Sequence, residues 1–132
     1  MIVVDTNILV YLSIPSPYSK LARELFSRDQ DWAVPVLWQS EFRSVLTKYL
    51  RRSLISFSEA IQIFSEVEDL VRDNEYQVKT IDVFELVAFG ATSSYDCEFV
   101  ALAKSLDTHL VSMDIKLARA FPETVTLLTD AT

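Results

Sequence analysis

The sequence predicts an α/β fold organised on a parallel β-sheet. Three observations carry that expectation: short apolar runs rich in β-branched residues, amphipathic helical segments alternating with them, and no repeat, low-complexity tract or linker to divide the chain. The chain has 132 residues, of which 50% are hydrophobic, with 1 Gly and 4 Pro, so one domain over residues 1–132 with a core of ordinary size is expected.

Ile2, Val3 and Val4 form a β-branched run ending at Asp5, the pattern of a strand buried on both faces. After Pro15-Ser16-Pro17, Ser19 is placed to cap a helix carrying Leu21, Ala22, Leu25 and Phe26 on one face. Trp32 to Val34 reads as the second strand. From about Leu37 to Arg52 the positions Trp38, Phe42, Val45, Leu46 and Tyr49 follow helical spacing. Ser56 and Glu59 form a capping box for a helix whose buried side is marked by Ala60, Ile61, Phe64, Val67, Leu70 and Val71. Tyr76 to Ile81 reads as a third strand, and Asp82 as the cap of a helix ending at Gly90. A further helix from Ser93 or Ser94 to about Leu106 turns Phe99, Val100, Leu102 and Ala103 inward. Strands at His109–Ser112 and Val125–Leu128 flank a short helix around Lys116–Ala120.

Composition narrows the function. Twelve basic residues against nineteen acidic ones leave a net charge of −7 and an isoelectric point of about 4.6, which taken alone speaks against a duplex-DNA binder held by a basic surface. A mean hydropathy of +0.21 with 23% charged residues excludes a disordered chain. Cys97 is the only cysteine, so neither a disulfide framework nor a cysteine-based zinc site can be built within the chain, and a cytoplasmic protein is expected. No apolar run approaches the roughly 18 residues of a membrane span.

In a parallel sheet, ligands gather beyond the carboxyl ends of the strands, so acids there weigh more than acids on helix surfaces. Asp5 follows the first strand and Asp114 follows His109–Ser112. Asp96 opens its helix, where the dipole favours negative charge, and Glu41 lies in the first turns of the helix after Trp32–Val34. Each has a plain structural alternative: Asp5 and Asp114 as helix caps, Asp96 as a dipole partner, Glu41 as a solvated helix residue. What those readings do not predict is the arrival of all four at one rim. Like charges about 4 Å apart repel by roughly 4 kcal/mol at an effective dielectric near 20, so such a cluster calls for a cation or shared protons. An all-oxygen set suits Mg²⁺ or Mn²⁺ better than zinc.

DTN after the first strand, the glutamate of VPVLWQSEF, YDCEFVALAKSL and LVSMDIKLA, in that order, resemble the PIN-domain ribonucleases, particularly toxins of the VapC type, from Met1 to about Leu128. That resemblance implies a three-layer α/β/α fold with a five-stranded parallel sheet in the order 3-2-1-4-5. It carries the family's acids onto Asp5, Glu41, Asp96 and Asp114, and its small polar residues onto Asn7 and Ser112, the latter standing where the family more often has Thr. The chemistry implied is hydrolysis of RNA phosphodiesters with one or two Mg²⁺ or Mn²⁺ ions. Asp5, Asp96 and Asp114 would be ligands, directly or through water, and Glu41 either a ligand or the residue orienting the nucleophile. It also implies an antitoxin partner of the VapB type and a homodimer; the apolar surface of the helices Ser19–Ser27 and Leu37–Tyr49, including Trp38, Phe42 and Tyr49, is a candidate for either contact, with most of these residues expected in the core. His109 is expected in a packed or edge position and Cys97 in the core.

Charge is polarised along the chain. Lys20 to Arg52 holds seven basic residues against four acidic ones, whereas five basic residues meet fourteen acidic ones from Ser53 onward. Glu41, Lys48 and Arg52 fall within about 40° of one another on their helix, so Lys48 and Arg52 are expected to lead an RNA backbone toward the acids; a solvated basic face is the alternative. Two other functions compete. A haloacid-dehalogenase-like phosphotransferase needs a second aspartate where Asn7 stands, and a catalytically silent PIN-like interaction module would have no need of four acids.

Overall fold

Val3 and Val4 turn to opposite faces of the sheet, and the two faces carry separate cores. The computed structural model describes residues 1–90 and 92–131. Strands β1 (Ile2–Val4), β2 (Trp32–Pro35), β3 (Glu75–Tyr76), β4 (Leu110–Ser112) and β5 (Val125–Leu127) form one five-stranded sheet, ordered β3-β2-β1-β4-β5 and parallel throughout. Register follows side-chain alternation. Val3, Ala33, Leu110 and Val125 join one core with Phe99, Val100 and Leu117. Val4, Trp32, Val34 and Val111 join the other with Ile8, Trp38 and Phe42.

Helices α1 (Thr6–Ser13), α2 (Ser19–Arg28), α3 (Trp38–Arg51) and α4 (Phe57–Val71) cover the second core, and α5 (Thr80–Val87), α6 (Ser94–Ser105) and α7 (Ile115–Ala120) cover the first. This is the expected three-layer order. The Ser56–Glu59 capping box is present in both directions, at 2.9 and 3.1 Å. The ends of α3 and α6 are built alike: Ser53 and Asp107 adopt φ of 54° and 53°. The amides of Ser53 and Leu54 donate to the Leu50 and Tyr49 carbonyls, and those of Asp107 and Thr108 to the Lys104 and Ala103 carbonyls. Both are Schellman ends made without the usual glycine.

Several sequence expectations are corrected. Residues 6–13 form a helix that the hydrophobic pattern did not reveal, because none of them is exposed and no polar face marks a period. Ser19 is the first residue of α2, not its cap; its hydroxyl donates to the Ile14 carbonyl and accepts from the Ser16 amide, closing the preceding loop. The third strand is two residues long rather than spanning 76–81. It is an edge strand paired only with Val34 and Pro35, and Pro35 has no N–H to extend the ladder. Asp82 lies in the first turn of α5, whose cap position is Lys79, and that helix ends at Val87. Ile61 is exposed, and His109 precedes β4 and is exposed, with its carbonyl accepting from the Val3 amide. Trp38 and Phe42, by contrast, are wholly buried, in agreement with the core position expected for them.

Candidate active site

Each of the four acids stands where a strand gives way to a helix or in a helix's first turn. The Asp5 amide donates to the Val111 carbonyl, completing the β1–β4 ladder, while the Asp5 side chain caps α1, with Oδ1 accepting from the Thr6 amide at 2.8 Å. Its Oδ2 accepts from Ser112 Oγ at 2.7 Å. Asp114 follows β4 and caps α7, with Oδ1 accepting from the Leu117 amide at 3.2 Å. Asp96 is in the first turn of α6, its amide donating to Ser93 Oγ. Glu41 is in the first turn of α3, and its Oε1 accepts from Thr6 Oγ1 at 2.6 Å. The structure brings all four together along one open cleft of about 430 Å³, with Thr6, Asn7 and Tyr11 also in its wall.

Ser112 is the hub beneath it. Its hydroxyl donates to Asp5, and its oxygen accepts from the Asp114 amide at 3.0 Å and from Asn7 Nδ2 at 3.4 Å. Fully buried at the end of β4, Ser112 ties two of the acids and Asn7 to one atom. The Asn7 Oδ1 atom is buried with no hydrogen-bond partner.

The cleft is electrostatically loaded. Burial pushes the Asp5 carboxyl from 3.8 up to about 6, against the Ser112 and Thr6 hydrogen bonds and with the help of charge on Asp96 and Asp114. Burial is also the first cause of the upward shift at Glu41, where the Thr6 hydroxyl acts downward and Asp5, Asp96 and Glu98 act upward. Asp96 is raised by burial and then by Asp114. Among the described residues no lysine, arginine or histidine forms an ion pair with any of these acids. Nor, among the described residues, are any three acidic, histidine or cysteine side chains grouped closely enough to hold a metal ion between them.

Lys48 and Arg52 are exposed on the α3 side. They line a shallow depression of about 310 Å³ that shares Val45 with the acidic cleft. A larger groove of about 600 Å³, between α3 and α4 and lined by Leu46, Leu50, Phe57, Ile61 and Phe64, is apolar and separate from the acids. Sequence reasoning passed over Thr6 and Glu98. Thr6 stood inside the DTN motif with no role assigned. Glu98, two residues beyond Asp96, is about 200° away around the helix, so spacing gave no sign that its charge reaches Glu41.

Against known proteins, the family model for the PIN domain matches residues 2–121. This chain belongs to the PIN domain family. A relative, Ribonuclease VapC3 of Pyrobaculum aerophilum, is 29% identical over 128 residues, spanning 95% of this chain and 98% of that protein. The fold matches the crystal structure of FitAcB from Neisseria gonorrhoeae with a TM-score of 0.75 at 15% identity, over 98% of this chain and 99% of that one. It matches a toxin–antitoxin complex from Klebsiella pneumoniae with a TM-score of 0.71 at 18% identity, over 97% and 98%. At those identities the structural matches bear on the PIN fold, and they agree with the sheet order found here.

Proposed function

We propose that this PIN-domain chain is a metal-dependent endoribonuclease acting as the toxin of a toxin–antitoxin pair. The observation that carries the reading is the meeting of Asp5, Glu41, Asp96 and Asp114 in one cleft where no basic side chain among the described residues pairs with them. A relative named a ribonuclease, alike over nearly the whole of both chains, gives the cleft its substrate class.

The donor set fits a hard divalent cation: it is all oxygen, and the partnerless Asn7 Oδ1 adds one more acceptor at the same cleft. Asp5, Asp96 and Asp114 would hold Mg²⁺ or Mn²⁺, directly or through water. Bound there, the cation supplies positive charge against the phosphodiester and makes attacking water more acidic. The chain's own part is to hold its carboxylates ionised and oriented. Ser112 fixes Asp5 through Oδ2, the Leu117 amide of α7 fixes Asp114, and Glu41 either joins the ligands or orients the attacking water. Lys48 and Arg52 give the RNA backbone a positive approach along α3.

An antitoxin partner and a homodimer complete this reading, in the cytoplasm; no helix among the described residues is long and apolar enough to cross a membrane. Exposed Phe57 and Ile61 beside the α3–α4 groove offer apolar surface to the one, and exposed Ile81, Phe84 and Phe89 on and after α5 to the other. The test is cleavage of RNA by purified protein with Mn²⁺, against Asp5→Asn and against chelator. Loss of cleavage in both controls is expected; equal cleavage by Asp5→Asn overturns the proposal and assigns the activity to a contaminant.

A further inference from the structure

Thr6 is the residue of the DTN segment to which neither the fold nor the proposed chemistry has given a task. It is buried, 6% exposed, at the first position of α1. Its amide donates to Asp5 and its hydroxyl to Glu41, thirty-five residues away on another helix. At 2.6 Å to a carboxylate oxygen the second bond is in the range of a charge-assisted contact.

We infer that Thr6 is a positioning residue for the acidic cleft, holding Glu41 by Oε1 so that Oε2 is left to the cation or the attacking water. The inference rests on the metal-nuclease reading above and adds to it a residue that touches neither substrate nor cation.

Three physical features carry it. Glutamate on a helix has three free side-chain torsions, and half-buried Glu41 has no basic partner among the described residues to restrict them. Threonine is branched at Cβ, so its hydroxyl is offered from a stiff arm rather than a searching one. That arm begins one peptide unit from Asp5, so the turn that aims Asp5 into the cleft also sets where Glu41 is gripped. The spacing between two of the four acids is then fixed by a single residue, before any cation arrives. Hydrogen-bond partners that orient a metal's ligands characteristically change its affinity by about 10- to 100-fold when removed.

The experiment measures Mn²⁺ binding directly, by electron paramagnetic resonance of the free ion during titration, on the full-length wild type, Thr6→Val and Thr6→Ser, each checked for folding by circular dichroism. Valine keeps the shape and loses the donor; serine keeps the donor. Expected are Mn²⁺ binding roughly 10- to 100-fold weaker in Thr6→Val and within about threefold of wild type in Thr6→Ser. RNA turnover in Thr6→Val should fall in kcat with KM for RNA little changed. In the Glu41→Gln background, Thr6→Val should bring no further loss, because the carboxylate it serves is gone. Wild-type affinity in folded Thr6→Val overturns the inference alone. A folded Thr6→Ser protein that binds Mn²⁺ about tenfold or more weaker than wild type overturns it too, because serine keeps the donor, and this arm stands even if the valine variant fails to fold. A wild type that binds no Mn²⁺ overturns the metal-nuclease reading and the inference with it.

Discussion

Asp5→Asn should make the metal-free protein more stable while removing its activity. Asp5 is 9% exposed, and its carboxyl is raised from 3.8 to about 6 chiefly by burial. A raised carboxylate is most favourable to folding when protonated. Its contribution is fully present below the unfolded value near 4 and is lost as pH rises through the folded value near 6. The difference corresponds to about 3 kcal/mol at neutral pH. Asparagine removes that charge, yet it cannot accept from both the Thr6 amide and the Ser112 hydroxyl, and one lost hydrogen bond gives back about 1 kcal/mol. A net gain of about 2 kcal/mol remains, a rise in Tm of roughly 5–10 °C for a domain of this size. The assay is thermal unfolding by circular dichroism in chelator from pH 4 to pH 8. The gap between variant and wild type should open between pH 4 and pH 7, and added Mn²⁺ should close it by raising the wild type selectively. A variant less stable than wild type at pH 7.5, or a gap that does not change with pH, refutes the assignment of Asp5 as a buried, uncompensated charge.

Further outcomes are expected. Mn²⁺ affinity should fall by about tenfold between pH 7.5 and pH 5, as protons compete for Asp5 first, measurable by titration calorimetry; Glu41 and Asp96, both raised, act in the same direction. Charge reversal at Lys48 and Arg52 should weaken RNA binding and flatten its salt dependence, and unchanged cleavage with unchanged salt dependence would remove the basic approach. Ser53→Gly should stabilise the chain by up to about 1 kcal/mol in urea melts, since glycine holds the left-handed φ of 54° without strain. Trp38→Ala should destabilise by about 3–5 kcal/mol, because the ring is wholly buried, stacks on Phe64 at 5.2 Å and donates from Nε1 to Glu75 at 2.5 Å.

What was legible in the sequence follows from which physical signals are local. Val3–Val4 and Leu110–Val111 read as strands because β-branched and apolar residues between turn signals need two covered faces, and the sheet supplies them. The capping box at Ser56 and Glu59 is a contact within four residues and was visible as such. Helix α1 was not, since none of its residues is exposed and no solvated polar face marks its period. Ile61 followed the helical period yet is exposed at the α3–α4 groove, where no other element among the described residues covers it. Position at strand ends singled out Asp5 and Asp114, and first helical turns brought Asp96 and Glu41 toward the same rim. Their tethering was hidden because Thr6–Glu41 and Ser112–Asp5 are contacts across 35 and 107 residues, which no spacing rule reaches.

The structural and functional readings of these acids are compatible, and the charge balance explains why. A cleft holding four carboxylates and no basic partner among the described residues would be strongly disfavoured if water were its only remedy. Here the remedy is backbone. Asp5 and Asp114 accept from the amides of the helices they cap, and Glu41 and Asp96 lie in first turns, where the helix dipole is positive. Capping and clustering are therefore one arrangement: the strand-to-helix turn that needs an acid for its free amides also delivers that acid to the rim of the sheet. Amides offset this only in part: Asp5 stays raised to about 6, first by burial and then by the charges of Asp96 and Asp114. The remainder is what a divalent cation would neutralise, and with it the phosphate that the −7 chain would otherwise repel. Lysines in the same place would have made a more stable protein whose carboxylates were already paired, leaving nothing for a cation to bind.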